Sequence, residues 1–193
     1  MRRGRRRAGE LRFVDAYRYN LAAWKLAVHL GLGHMMPATV ERSYRGQPGA
    51  LSWWVDDVLM DEAEREKTAT EPPGGRSLDV VRQRQRMFVF AELVRDTDRN
   101  KGNVLYTTDW RVIMLDFTRA FRLEPRLRLP QTLTACDRAL LASLRRLTRE
   151  DVERAVDDHL TGFEIDALMK RRALLVEHFD RLIGTRGEAA VLY

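Results

Sequence analysis

The segment Arg95–Phe121, RDTDRNKGNVLYTTDWRVIMLDFTRAF, constrains the fold of this 193-residue chain more than any other stretch. It opens as a polar loop rich in Asp, Asn and Gly, residues that favour turns. Two β-branched or apolar runs follow, Val104–Tyr106 and Val112–Leu115, separated by Thr107-Thr-Asp-Trp110, and together they read as a hairpin. Such a hairpin brings Asn103, at its start, near Asp116, at its end. Val112-Ile-Met-Leu115 is a buried-strand pattern, so the Asp116 carboxylate sits at a strand end, where groups are rigidly held.

This spacing suits a metal bound to a nucleotide phosphate. Mg²⁺ takes hard oxygen ligands and accepts only one or two from protein, because phosphates and water supply the rest. Asp116 and the amide oxygen of Asn103 meet that demand from neighbouring segments. Asp98, earlier on the loop, is then placed to orient an acceptor hydroxyl and take its proton late in transfer. Two plainer readings compete. Asp96, Asp98 and Asn100 alternate as calcium ligands do, but an EF-hand counted from Asp96 needs Gly and Glu where Lys101 and Thr107 stand. An ordinary polar turn is the other, and the LDF triplet at the matching distance, with a strand on each side, argues against it.

Around this centre the chain reads as helix, hairpin, helix, loop, hairpin, helices, an α+β order with few strands. Phe13–Leu30 is expected as a helix, with Phe13, Tyr17, Asn20, Trp24 and Val28 forming one stripe that Asn20 interrupts, and the Gly31-Leu-Gly33 sequence ending it. Ala38–Tyr44 and Ala50–Asp56 read as strands around Arg45-Gly-Gln-Pro-Gly49. Asp61–Lys67 looks helical and Thr68–Ser77 is a loop. Leu78–Arg95 is expected as a helix burying Val81, Met87 or Phe88, Ala91 and Val94. The last third is helical over Leu133–Leu147, Arg149–Leu160 and Gly162–Ile183. Thr148 with Asp151, and Thr161 with Glu164, have capping-box spacing.

Charge and composition exclude more than they assign. Of the formal net charge of +6, most sits in MRRGRRR at the N-terminus, a basic tail (residues 1–12) expected to be disordered and solvated. No nucleic-acid module follows it, and the aromatics are not interleaved with basic residues as a base-stacking surface requires. No apolar run reaches the length of a membrane span, and a cytoplasmic protein is expected from the lone Cys136, which has no disulfide partner. The four histidines lack HxxxH or HExxH spacing and are expected to be structural or solvent-facing. Cys136 is expected in a helix as a small buried hydrophobe. Arg99 either contacts a phosphate or pairs with a carboxylate, Arg119 is expected to help position the loop, and Phe121 to be core.

DTDRNKGN followed by VIMLDFTRAF resembles the catalytic loop and metal motif of atypical kinase-like folds, the phosphoinositide 3-/4-kinase and HipA-like group. More closely, the chain is similar, over about Leu11–Tyr193, to a family of uncharacterised bacterial kinase-like proteins. The resemblance implies a protein-kinase-like C-lobe, mostly helical with two β-hairpins, and a truncated N-lobe. Residues 13–58 would be its remnant of helix, hairpin and hinge, and 59–193 the C-lobe. Asp98 matches the catalytic base, and Asn103 and Asp116 the metal ligands. Val55, Asp56, Asp57 and Val58 match the hinge that holds adenine through its backbone. Trp53 and Trp54 either wall that pocket, where pleating admits one of them, or lie in the core.

The departures are at the N-terminal end. Kinases cover the phosphates with a Gly-rich loop and a strand lysine paired to a helix glutamate. Before Phe13 there is only MRRGRRRAGELR, the inward position on the first helix is Asn20, and Lys25 is on a helix rather than a strand. A late start at Met1, with a fuller lobe upstream, is one reading of this. Thr118 stands where protein kinases have Gly, as the resemblance to the atypical group implies. The expected function is ATP- and Mg²⁺-dependent phosphoryl transfer to a hydroxyl of a protein, lipid or small molecule. The contrasting expectation is a catalytically impaired pseudokinase or interaction module that keeps a metal–nucleotide site.

Overall fold

The computed structural model describes residues 15–193. The expected basic tail and the helix start at Phe13 lie outside the described residues. Helix α1 (Tyr17–His29) buries Tyr19, Ala22, Ala23, Leu26 and Ala27, and packs against α5 (Arg149–Val156). The expected stripe faces inward only in part: Trp24 packs against the core and Asn20 is half-buried, whereas Tyr17 and Val28 are exposed. Large apolar residues at three- and four-residue steps suggested that face, but three of the buried positions are alanines, Ala22, Ala23 and Ala27, which carry little apolar signal. Gly31, at φ 78°, lets the chain turn away after the helix.

Strands β1 (Thr39–Tyr44) and β2 (Gln47–Ser52) form a two-stranded antiparallel sheet. Its turn is tighter than expected, because Arg45 and Gly46 both take positive φ, the combination that two-residue hairpin turns require. Pro48 therefore lies inside β2, opposite Ser43, as the edges of a two-stranded sheet allow. The second strand ends at Ser52 rather than at Asp56, and residues 53–57 form an irregular link.

Beyond the link, β3 (Val58–Asp61) pairs with β4 (Val104–Thr107), which pairs with β5 (Val112–Met114). The expected β4–β5 hairpin is present, but β3 makes it a three-stranded antiparallel sheet. With a bulge between Val58 and Met60, β3 is too short and irregular to carry a strand pattern. Helix α2 (Glu62–Thr68) starts at the Asp61 cap, whose side chain accepts from the Glu64 N–H. Helix α3 (Ser77–Val94) buries Val80, Gln83, Met87, Phe90 and Val94, whereas Val81, expected inside, is exposed.

Helices α4 (Arg138–Arg146), α5, α6 (Gly162–Arg186) and the short α7 (Glu188–Val191) complete the chain. Both expected capping boxes are formed. Cys136 is not helical as expected: it precedes α4 and bridges in parallel to Leu192, fully buried, and burial pushes its thiol up to about 12. The architecture is mixed α+β with helices dominating, the expected class.

Buried ions lock the elements together. Glu62, at the start of α2, accepts from Arg65 (2.7 Å), from Arg84 of α3 (2.6 Å) and from the Tyr106 hydroxyl of β4 (2.7 Å). Burial alone would raise its pKa, but these donors hold it down at about 2. Arg171 of α6 is fully buried and donates to the carbonyls of Leu93, Arg122 and Glu124, each at 2.8 Å. Burial lowers its pKa to about 9.

Two outcomes follow from these ions. Because Glu62 titrates lower folded than unfolded, its stabilisation is complete above pH 4.5 and is lost as pH falls towards about 2. Glu62→Gln should therefore lower the urea midpoint at pH 7 and flatten the stability–pH curve over that acid window. Arg171→Met, which removes the donor to one buried and two partly buried carbonyls, should cost about 3 kcal/mol in urea unfolding; a loss under about 1 kcal/mol would discount the role given to these bonds.

Candidate active site

The loop begins where α3 ends, with Arg95 in the left-handed region at φ 52°. Asp96 turns inward and is 5% exposed. Its Oδ1 accepts from the Asp98 N–H (3.0 Å), and its Oδ2 is ion-paired with Arg99 at 2.5 Å. Arg99 donates to the carbonyls of Asn103 (2.9 Å) and Leu115 (2.6 Å), and its guanidinium lies 4.2 Å from the centroid of the Phe117 ring. Of the two expectations for Arg99, carboxylate pairing is the one observed. The i, i+3 spacing of Asp96 and Arg99 was the signal that could have settled it.

The hairpin then brings the expected residues onto adjoining segments. The Leu115 N–H donates to the Asn103 carbonyl (2.9 Å), so Asn103 neighbours the residue before Asp116. The Asn103 side-chain NH₂ donates to the Asp98 carbonyl (3.0 Å), which spends its nitrogen on the loop and leaves its amide oxygen as the hard donor. Asp116 is exposed and takes φ 49°, a left-handed conformation that Asp tolerates better than most residues. Its Oδ1 accepts from the Thr118 N–H (3.1 Å) and hydroxyl (2.7 Å).

The first helix reaches this turn as well. The Asn20 side-chain oxygen accepts from the Phe117 N–H (2.6 Å), and the Ala16 N–H donates to the Thr118 carbonyl (3.0 Å). Asn20, the expected inward position, is thus fastened to the residue after Asp116. Asp98 is partly exposed, and its Oδ2 accepts from Arg119 (3.0 Å), which also meets Asp15 (3.1 Å). Phe121 is buried in the core as expected.

A cavity of about 500 Å³ opens beside this turn, within the size range of small-molecule sites. Asn20, Leu115, Asp116 and Phe117 line it together with Leu105 and Met114 of the three-stranded sheet. Met36, Pro37, Thr39 and Ser52, to which the sequence assigned no site role, contribute the wall on the β1–β2 side. Trp53 and Trp54 both line it and are 75% and 79% exposed. A core role for them is therefore excluded, and pleat alternation does not apply because both lie after β2 has ended.

The four hinge residues divide. Val55 and Val58 line the cavity, whereas Asp56 and Asp57 do not. The Asp57 carbonyl accepts from the Thr108 N–H (2.9 Å), and its carboxylate pairs with Arg111 (2.7 Å). Asp57 therefore ties the link to the hairpin turn.

Among the described residues there is no group of three or more His, Cys, Asp or Glu side chains able to hold a metal. The residues expected as metal ligands are Asn103 and Asp116, with the Asp98 carboxylate on the adjoining loop. All three donors are hard oxygens, a set that fits Mg²⁺ and not a soft metal.

No protein-family model matches the sequence, and no curated protein matches it. Among solved structures, one of hydra Fam20 with sugar is similar, with a TM-score of 0.63 and 13% identity over 93% of this chain and 74% of that one. The likeness supports a kinase-like fold, the expected class, without singling out the atypical group.

The Asn20–Phe117 bond yields a direct test. Asn20→Ala should lower stability by about 1 kcal/mol in denaturant titration, with the amide signals of Asp116–Thr118 shifting in NMR spectra. Unmoved signals there would show that Asn20 does not hold the turn.

Proposed function

We propose that this chain binds ATP with Mg²⁺ and transfers a phosphoryl group to a hydroxyl of a protein, lipid or small molecule. The observation that carries the reading is the cavity shared by Asp116 and the link after β2, beside a loop that holds Asp98 and Asn103 in place. The finer kinship, with the phosphoinositide 3-/4-kinase and HipA-like group, is supported by DTDRNKGN, by VIMLDF at the matching distance and by Thr118 in place of Gly.

In this reading adenine enters between Trp53, Trp54, Val55 and Val58, with the backbone of Val55 as its partner and Asp56 outside the cavity. The Asp57 carbonyl is engaged with Thr108, so its part is to hold the link. Asn103 and Asp116 would hold Mg²⁺, whose contribution is to neutralise phosphate charge. Asp98 orients the acceptor hydroxyl and takes its proton. The division into a remnant lobe (13–58) and a C-lobe (59–193) is supported by the two separate sheets, with the boundary drawn more closely at residues 53–57. No helix among the described residues is long and apolar enough to cross a membrane. The free, buried Cys136 suits a reducing cytosol.

A non-catalytic nucleotide-binding module is the second reading. None of the five described strands carries a lysine, and Asp98 is engaged by Arg119.

Calorimetry and thermal shift with ATP, with and without Mg²⁺, separate the possibilities. The wild-type chain should bind ATP in a Mg²⁺-dependent manner, Asp116→Ala should lose the metal dependence, and Asp98→Ala should bind normally but lose turnover. Equal, metal-independent responses in wild type and Asp116→Ala would sink the site assignment. Binding without turnover in wild type would favour the module.

A further inference from the structure

We propose that Arg119 is the cation that receives the terminal phosphate of the nucleotide, exchanging its contact with Asp98 for phosphate oxygens; this rests on the nucleotide reading of the cavity. The need for such a cation comes from the sheet. A kinase-like site requires positive charge at the phosphates, and no described strand carries lysine. Arg42 of β1 lies one residue out of phase with Thr39 and Glu41, so it falls on the face opposite the cavity wall.

Other cations near the loop are committed elsewhere. Arg99 is buried against Asp96 and two carbonyls. Lys101 pairs with Glu66 of α2, and Lys25 faces Asp157.

Arg119 differs in place and in partners. It stands three residues after Asp116, donates to Asp98 and Asp15, and feels the Asp116 charge as well. Its side chain is 41% exposed, and both carboxylates are partly exposed. Ion pairs this accessible to water are weakly held. A guanidinium forks onto phosphate oxygens in paired, charge-assisted bonds, which are stronger. Departure of Arg119 would also leave Asp98 to face the acceptor hydroxyl, so nucleotide arrival and exposure of the base become one event.

The test compares affinities for Mg·ATP, Mg·ADP and adenosine by calorimetry. Arg119→Gln should weaken ATP about tenfold, weaken ADP less, and leave adenosine unchanged. Adenosine affinity also reports that the variant is folded. Should the Gln variant not fold, Arg119→Lys takes its place: a fall in the ATP-to-adenosine affinity ratio supports the assignment. An unchanged ratio in the folded variant overturns it while leaving the cavity reading intact. Absence of adenosine binding to the wild-type chain overturns both.

Discussion

The structure of this site depends on the buried guanidinium of Arg99. One side chain reaches the Asp96 carboxylate, the carbonyl that opens the β4–β5 hairpin, the carbonyl that closes it, and the ring after Asp116. Removing it would leave the Asp96 charge inside the protein with its counter-ion gone, a far greater loss than that of a surface pair. The same contacts fix the spacing between Asp98, Asn103 and Asp116. A polar loop of this composition would otherwise sample many conformations, and a metal–phosphate site tolerates few of them.

The remaining buried ions extend this logic outward. Glu62 gathers α2, α3 and β4, while Glu164 accepts from Arg18 and Tyr19 of α1 and closes the cap of α6. Arg171 binds the end of α3 to the stretch that follows Phe121. Each joins segments far apart in sequence through a charge that cannot relocate without stranding partners in the interior. The catalytic-type loop is held from both sides in this way. By contrast the β1–β2 sheet and the link after it leave Tyr44, Leu51, Trp53 and Trp54 largely exposed. Rigidity belongs to the wall that carries the carboxylates, and the wall formed by the hairpin and link is lightly packed.

How far the sequence could be read depended on whether a feature was local. Capping boxes at Thr148 and Thr161 and the Asp-Asn-Gly loop before β4 are set by neighbours a few residues apart, and they were legible. The placement of Asn103 beside the end of β5 followed from hairpin geometry alone. Which face of α1 is buried was not legible, because Ala22, Ala23 and Ala27 carry little apolar signal until the partner helix is known. Strand β3 escaped because it has four residues and a bulge and gains its order only by pairing with β4. The exposure of both tryptophans was hidden for a similar reason: the strand that would have alternated them ends at Ser52.

The arrangement of charge around Asp116 bears on how a nucleotide's metal and phosphates could be held from one turn of a kinase-like fold. A strand lysine works from a sheet that closes over the phosphates, and none of the five described strands carries one. A cation placed on the metal-motif segment needs no such lid, since it is carried by the same turn that Asn20 and Ala16 hold against α1. In the absence of nucleotide that cation sits near three carboxylates, Asp15, Asp98 and Asp116, and offsets part of their mutual repulsion. Phosphate and Mg²⁺ arriving together would replace this compensation with their own, the metal answering Asp116 and the phosphate answering Arg119. The lower lobe would then carry both signs of charge that the chemistry requires, leaving the tryptophan-lined link and the β1–β2 sheet to provide apolar contact with the base.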